Sequence, residues 1–367
     1  MTFRPHSVVA VMLFSTMLYA QASAPASTPQ GSAARAPSGN VVYPVMSEAA
    51  KQRGRKLFEM FMAGQASAIW ASSPPEARKN AAEEKKFMAT IGGLKGKLGT
   101  ETKMLEETIV PYLTKRVTVY SRLSEFSNAK VPVATIVMIN ENGYTDGFTL
   151  RPLPSPPEGH NAGYKDTTKF RLPFAGTWLV YLGGHGLFDN VYQQTDDQQF
   201  AMDFILLKNG VPFSGDASTN EQFYCFGQPV LAPADGTVVQ IVNDIGDNAP
   251  GQASQDKPKG NMIMISHGNR EYSLLTNLKQ NSVKVKVKDV VKQGDPVGEC
   301  GNSGASAVPK IHYQLQNSAG FPSTESLPVQ FVDYIADGKP VANGEVVRGQ
   351  TVSNGTASSA SQPAEKK

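Results

Sequence analysis

Lys310 and His312 stand two residues apart in VPKIHYQLQ, which runs from Val308 to Gln316. Lys310, His312 and Gln314 alternate with Ile311, Tyr313 and Leu315, and a period of two marks a strand with one apolar face. Residues two apart on a strand share a face, so an ammonium and an imidazole are expected side by side after the glycine-rich turn CGNSG. Imidazole ligates metals and carries protons near neutral pH. A protonated lysine does neither and supplies a fixed positive charge. The pair therefore reads as a catalytic site, as the remains of one, or as ordinary surface, depending on what else is brought to it.

The elements that could bring it there come from a chain of 367 residues, long enough for about two domains. A formal charge of +3 is too small to argue for a nucleic-acid partner. The lysines of VKVKVKD alternate with valine and read as a strand with one wet face. Arg4, the apolar run VVAVMLFSTMLYA and the small residues QASA have a secretory-signal layout over residues 1–24. The run is short for a bilayer span and no later segment is long and apolar enough, so the mature chain is expected to be exported, periplasmic or extracellular, without a membrane span. Export permits a disulfide between the chain's two cysteines, Cys225 and Cys300, closing a long loop; two buried free thiols are the alternative.

Residues 25–46, rich in Ala, Ser, Pro and Gly, are expected to be a flexible tether, and 337–367 a disordered tail. Between them lie two folded parts. In 47–150, SEAAKQRGRKLFEMFMAG has a serine cap candidate, apolar residues at helical spacing and a terminal glycine. ASAIWASSPPEARK reads as a short helix and turn with Trp70 in the core. AEEKKFMATIGGLKGKLG is a further helical pattern, cut by Gly92 and Gly93. Strand-like runs follow to Leu150, with NENGY as a hairpin turn. Helices followed by antiparallel strands make an α+β unit, which resembles the small cone-shaped domains of the cystatin-like and nuclear-transport-factor-2-like superfamily. It holds no histidine or cysteine, so its expected role is to bind or position something. Residues 151–168 are a proline-rich linker with a solvated His160, and 169–336 are almost entirely strand and turn, consistent with a closed or two-layered antiparallel β fold.

Within that second part, GQPVLAPADGTVV, GNMIMISHGN, YSLLTNL, VVKQGDPVGECGNSG and KIHYQL occur in order over roughly Gly176 to Gln316. Together they resemble the lysostaphin-type (LytM-like) zinc metallopeptidases, which implies a mainly-β duplicated-hybrid-motif fold. The resemblance also implies a site in which two histidines and an aspartate hold zinc, an open position carries water whose pKa falls to about 7, and two further histidines orient and protonate the reacting groups. Carried over, Asp203 fits the aspartate ligand and His312 the second histidine of an HxH strand. Lys310 stands at the first, and Asn277 stands at the other catalytic histidine. The missing ligand position falls on Gln199 or Tyr192. His185 reaches the site only through a loop excursion, and His267 sits on a hairpin turn, near the fold but not a ligand.

Two ligands are too few for a catalytic zinc. Lys310 is expected either to pair with Asp203 in place of the metal or to point outward as a surface residue. The polar face of the strand is expected to line the groove that holds the site in active relatives. The reading that follows is an exported envelope protein whose peptidase fold has lost catalysis and binds peptidoglycan peptides or a cell-wall hydrolase, with no cofactor. The alternatives are a zinc endopeptidase of peptidoglycan cross-links with displaced ligands, and a scaffold whose N-terminal domain does the recognising.

Overall fold

The computed structural model describes residues 45–153, 161–186, 188–320 and 324–355. The signal layout of 1–24 and His160 lie outside these. So do all but two residues of the expected tether, and those two, Val45 and Met46, are ordered: Val45 is buried and the Met46 amide donates to Thr118 Oγ1. Contacts divide the chain into two units, 1–156 with 208–217, and 157–207 with 218–367.

In the first unit, three helices precede a four-stranded antiparallel meander. The helices are α1 (Glu48–Met62), α2 (Ala66–Ala71) and α3 (Ala81–Leu98). The strands β1 (Glu101–Pro111), β2 (Val117–Phe126), β3 (Val133–Asn140) and β4 (Thr145–Pro152) pair in chain order. Ser47 caps α1 by accepting from the Ala50 amide, and Leu57, Phe58 and Phe61 give the helix its buried stripe. Gly54 is required by close approach: a Cβ there would lie 2.2 Å from the ring of Tyr120. Gly92 and Gly93 do not cut α3. Each costs about 1 kcal/mol of helix propensity, but both face open space while Phe87 and Ile91 anchor the helix in the core, and it runs on to a stop at Gly99, where φ is 76°.

The second unit is mainly β and antiparallel. Its strands are β5 (Trp178–Leu182), β6 (Met202–Ile205), β7 (Pro229–Leu231), β8 (Gly236–Val242), β9 (Asn261–Ser266), β10 (Tyr272–Leu278), β11 (Val290–Val291), β12 (Pro296–Glu299), β13 (Ile311–Gln316), β14 (Ser326–Leu327), β15 (Phe331–Ala336), β16 (Lys339–Gly344) and β17 (Thr351–Asn354). One sheet runs β11-β8-β9-β10-β13-β6-β5-β17-β15-β16, with β14 beside β13, and β7 pairs with β12. β13 lies between β10 and β6, in mid-sheet.

Four boundary expectations change. The tail does not begin at 337: β16 and β17 continue the sheet to Asn354, because Val346 and Val352 supply buried apolar contacts. Residues 208–217 leave the second part and join the first unit, where Phe213 is buried and carries the Arg116 guanidinium over its ring. The linker is ordered at its end. Glu271, itself buried, accepts from Tyr164 and from the amides and hydroxyls of Thr167 and Thr168, and the Gln330 amide donates to Asp166. VKVKVKD forms no strand: residues 283–288 run alongside without a ladder, with Val283 and Val285 packed on the core, and the lysines outward.

Cys225 and Cys300 form a disulfide across 75 residues of sequence, both buried in the core of the second unit. Closing a loop of that length stabilises by about 4 kcal/mol in the chain-entropy account. Urea unfolding of the Cys225→Ala, Cys300→Ala protein should lose roughly that amount; a loss under about 1 kcal/mol would show that the bridge contributes little.

Candidate functional site

Strand pairing assembles the polar cluster. His312 on β13 is the direct cross-strand partner of Asp203 on β6 and of Thr276 on β10. Directly opposed residues share a face with their Cβ atoms about 5 Å apart, so Asp203, His312 and Thr276 form a row across three strands. Lys310 lies just ahead of β13, bridged to Gly301 by backbone pairing, and the period of two puts its side chain on the same face. Tyr192 comes from a one-turn helix at Val191–Gln194, capped by the side chain of Asn190.

The carboxylate of Asp203 is the centre of the cluster. Lys310 Nζ donates to Oδ2 at 2.7 Å, His312 Nδ1 to Oδ1 at 2.9 Å, and the Tyr192 hydroxyl to Oδ2 at 3.1 Å. Lys310 also lies 3.3 Å from the Tyr192 oxygen, and the Tyr192 ring meets His312 edge-on, centroids 5.1 Å apart. Because a carboxylate only accepts, His312 carries its proton on Nδ1. Asp203, Lys310 and His312 are 1%, 3% and 6% exposed. Lys310 thus faces inward onto Asp203 and is not a surface lysine.

Burial alone would push the Asp203 carboxyl up. The adjacent ammonium and the His312 hydrogen bond outweigh it and hold the group at about 2. Burial likewise disfavours the Lys310 ammonium, but the facing carboxylate raises its pKa above the ordinary lysine value. Both partners therefore stay charged at neutral pH. The Tyr192 phenol is pushed up by burial and by Asp203, so it remains a donor.

The face is closed as well as paired. Every residue of β13 is buried, including Gln314 and Gln316, so the polar face does not line an open groove as expected. Residues 190–199 cover it: Gln314 Nε2 donates to the Asp197 carbonyl, and Asn190 and Gln193 amides hold the Gln199 carbonyl. Of the two positions considered for the missing ligand, Tyr192 reaches Asp203, whereas Gln199 bonds Gln193 within the covering loop. Asn277, with φ 60°, donates to the Ser303 carbonyl. His185 is paired with Glu345, which raises its pKa, and does not join Asp203 and His312. His267 donates from Nδ1 to the Asp235 carbonyl and accepts from Ser273 at 2.8 Å; burial lowers its pKa. The sequence flags Tyr192 only as a ligand position. Its hydroxyl contact with Asp203 comes from a loop whose path has no periodic signature.

A catalytic zinc does not fit these residues. It needs three protein donors and an open position. Here the carboxylate accepts from three donors, the Nδ1 of the one imidazole donates to it, and a protonated ammonium lies where a dication would be repelled. Among the described residues no group of three or more His, Cys, Asp and Glu side chains converges.

Removing one partner of a buried pair leaves the other charge uncompensated, at a cost of about 3–5 kcal/mol. Lys310→Met should lose about that much in urea unfolding, and Asp203→Leu with Lys310→Met should recover most of it. A Lys310→Met loss under about 1 kcal/mol would mean that the pair does not hold the strands. Because the folded-state pKa of Asp203 is depressed, its contribution is complete above the unfolded value of about 4. It is lost as pH falls through about 2, the folded value. Acid titration of stability should show that loss in the wild type and not in the double variant.

A sequence model of Peptidase family M23 matches residues 221–322. A Haemophilus influenzae protein described as an uncharacterized metalloprotease is 35% identical over 104 residues, which are 28% of this chain and 19% of that protein. The catalytic domain of lysostaphin from Staphylococcus simulans is 20% identical in sequence, with 41% of this chain and 88% of that domain covered and a TM-score of 0.24. The catalytic domain of the prophage-encoded M23 protein EnpA from Enterococcus faecalis is also 20% identical, with 43% and 94% covered and a TM-score of 0.27. By this sequence match, the chain carries a metallopeptidase-homologous domain of Peptidase family M23.

Proposed function

We propose that this chain is an exported cell-envelope protein whose M23 domain is a pseudoenzyme, a binding or regulatory module for peptidoglycan peptides or for a cell-wall hydrolase. The observation that carries this is the Lys310 ammonium held 2.7 Å from Asp203 Oδ2. It supplies the positive charge that a buried carboxylate requires, so the β scaffold keeps its central cross-strand contact without metal. The covering loop at 190–199 supports the same reading, since beneath it Asp203, Lys310 and His312 are buried. Fold alone does not fix function, and a domain of this family can retain its sheet while the residues on one face change. Export rests on the leader-like composition of residues 1–24 and is consistent with the Cys225–Cys300 disulfide. No helix among the described residues is long and apolar enough to cross a membrane.

Metal analysis of the purified full-length chain should find zinc well below one ion per molecule, unchanged in His312→Ala, and digestion of peptidoglycan should release no muropeptides. One equivalent of zinc that is lost in His312→Ala, together with cleavage of cross-link peptides, would establish the alternative, an active endopeptidase with displaced ligands.

A further inference from the structure

The first unit contains a cleft of about 530 Å³ that the M23 domain does not share. Arg55, Phe58, Glu59 and Met62 line it from α1, and Lys95, Thr100, Glu101 and Arg122 complete it. The four α1 residues follow the i, i+3, i+4, i+7 spacing of one helix face. That face therefore carries a cation, an anion and two apolar side chains together.

The cleft is built on a rigid base. Arg122 donates to both oxygens of Glu101 at 2.9 and 2.8 Å and lies 4.6 Å from the centroid of the Phe58 ring. Arg55 donates to both oxygens of Glu107, which also accepts from Tyr120 at 2.7 Å. These bidentate pairs fix the guanidinium planes. Two charges are left with spare capacity. Glu59 is exposed and forms no ion pair among the described residues. Lys95 donates one hydrogen bond, to the Gly99 carbonyl at 2.8 Å, leaving two N–H groups available.

One anionic and one cationic acceptor-donor pair beside an apolar wall fits a ligand with an amine, a carboxylate and an apolar group. The adjoining strand adds backbone recognition. β1 begins at Glu101 on the cleft, stands at the edge of its sheet and pairs only with β2 among the described strands. Its residues Met104 and Leu105 are 48% and 38% exposed. A free edge offers backbone N–H and C=O groups to an extended chain. An amino acid or small zwitterion makes no use of those groups; a peptide does.

We propose that this cleft binds a short extended peptide with free termini, its amine on Glu59, its carboxylate on Lys95, an apolar side chain against Met62, and its backbone along the start of β1. The site belongs to the first unit alone and does not depend on whether the Asp203 cluster is catalytic.

The test uses the full-length protein and a pool of tripeptides with free termini, read by saturation-transfer NMR. The best-binding member is then compared with its N-acetylated and C-amidated forms by calorimetry. Saturable binding is expected, with each blocked form about tenfold weaker, as for one lost charge contact. Glu59→Gln should abolish the penalty for acetylation and leave that for amidation, and Lys95→Gln should do the reverse. Circular dichroism checks that both variants, changed at solvent-accessible positions, keep the fold. No saturable signal from the pool, blocked peptides that bind as well as free ones, or variants that leave both penalties intact would overturn the proposal.

Discussion

A carboxylate that leaves water must be given positive charge or hydrogen-bond donors, because an isolated buried anion costs several kcal/mol even after relaxation. Asp203 sits in mid-sheet, 1% exposed, and the arrangement of the second unit around it follows from that constraint. Lys310 supplies the charge, His312 the second donor and Tyr192 the third. A divalent metal held by the same carboxylate would meet the requirement differently and would demand that the ammonium be absent. The two arrangements compete on electrostatic grounds, and in this structure the ammonium lies against the carboxylate.

The loop over the site is part of that solution. An ion pair open to water is screened and contributes little. Covered by residues 190–199, whose backbone is itself held at the Gln199 carbonyl by Asn190 and Gln193, the pair is shielded and its cross-strand geometry is fixed. The same cover leaves Asp203, Lys310 and His312 almost wholly buried. Pairing the carboxylate with Lys310 and closing the face are therefore linked, since the cover that shields the pair also fixes it.

Much of this was legible in the sequence. The alternation of Lys310, His312 and Gln314 with Ile311, Tyr313 and Leu315 places two polar groups on one face without any structure, because the strand period is fixed. The turn glycines and short apolar runs indicate a β fold, and the motif order over Gly176–Gln316 narrows it. Less was legible where apolar contacts form far along the chain. β16 and β17 have too few apolar residues to read as strands, yet Val352 finds Trp178 as its cross-strand partner. The 208–217 excursion is invisible because its core is in another unit. VKVKVKD has the strand pattern but makes only isolated backbone bonds, from Lys284 to the Val297 carbonyl and from Lys288 to the Val238 carbonyl, and no continuous ladder. Gly92 and Gly93 mislead because propensity is a weak term beside burial of Phe87 and Ile91. Tyr192 could be placed near the site only by position, since the loop that carries it has no period to read.

The central claim is that a protonated lysine occupies the charge position beside Asp203, and the most direct measurement is heteronuclear NMR of protein with ¹⁵N-labelled lysine side chains. Lys310 should give a slowly exchanging ammonium signal at neutral pH, unchanged by added zinc and shifted in Asp203→Asn. Disappearance of that signal on titration with zinc, with the metal retained after dialysis, would contradict the account.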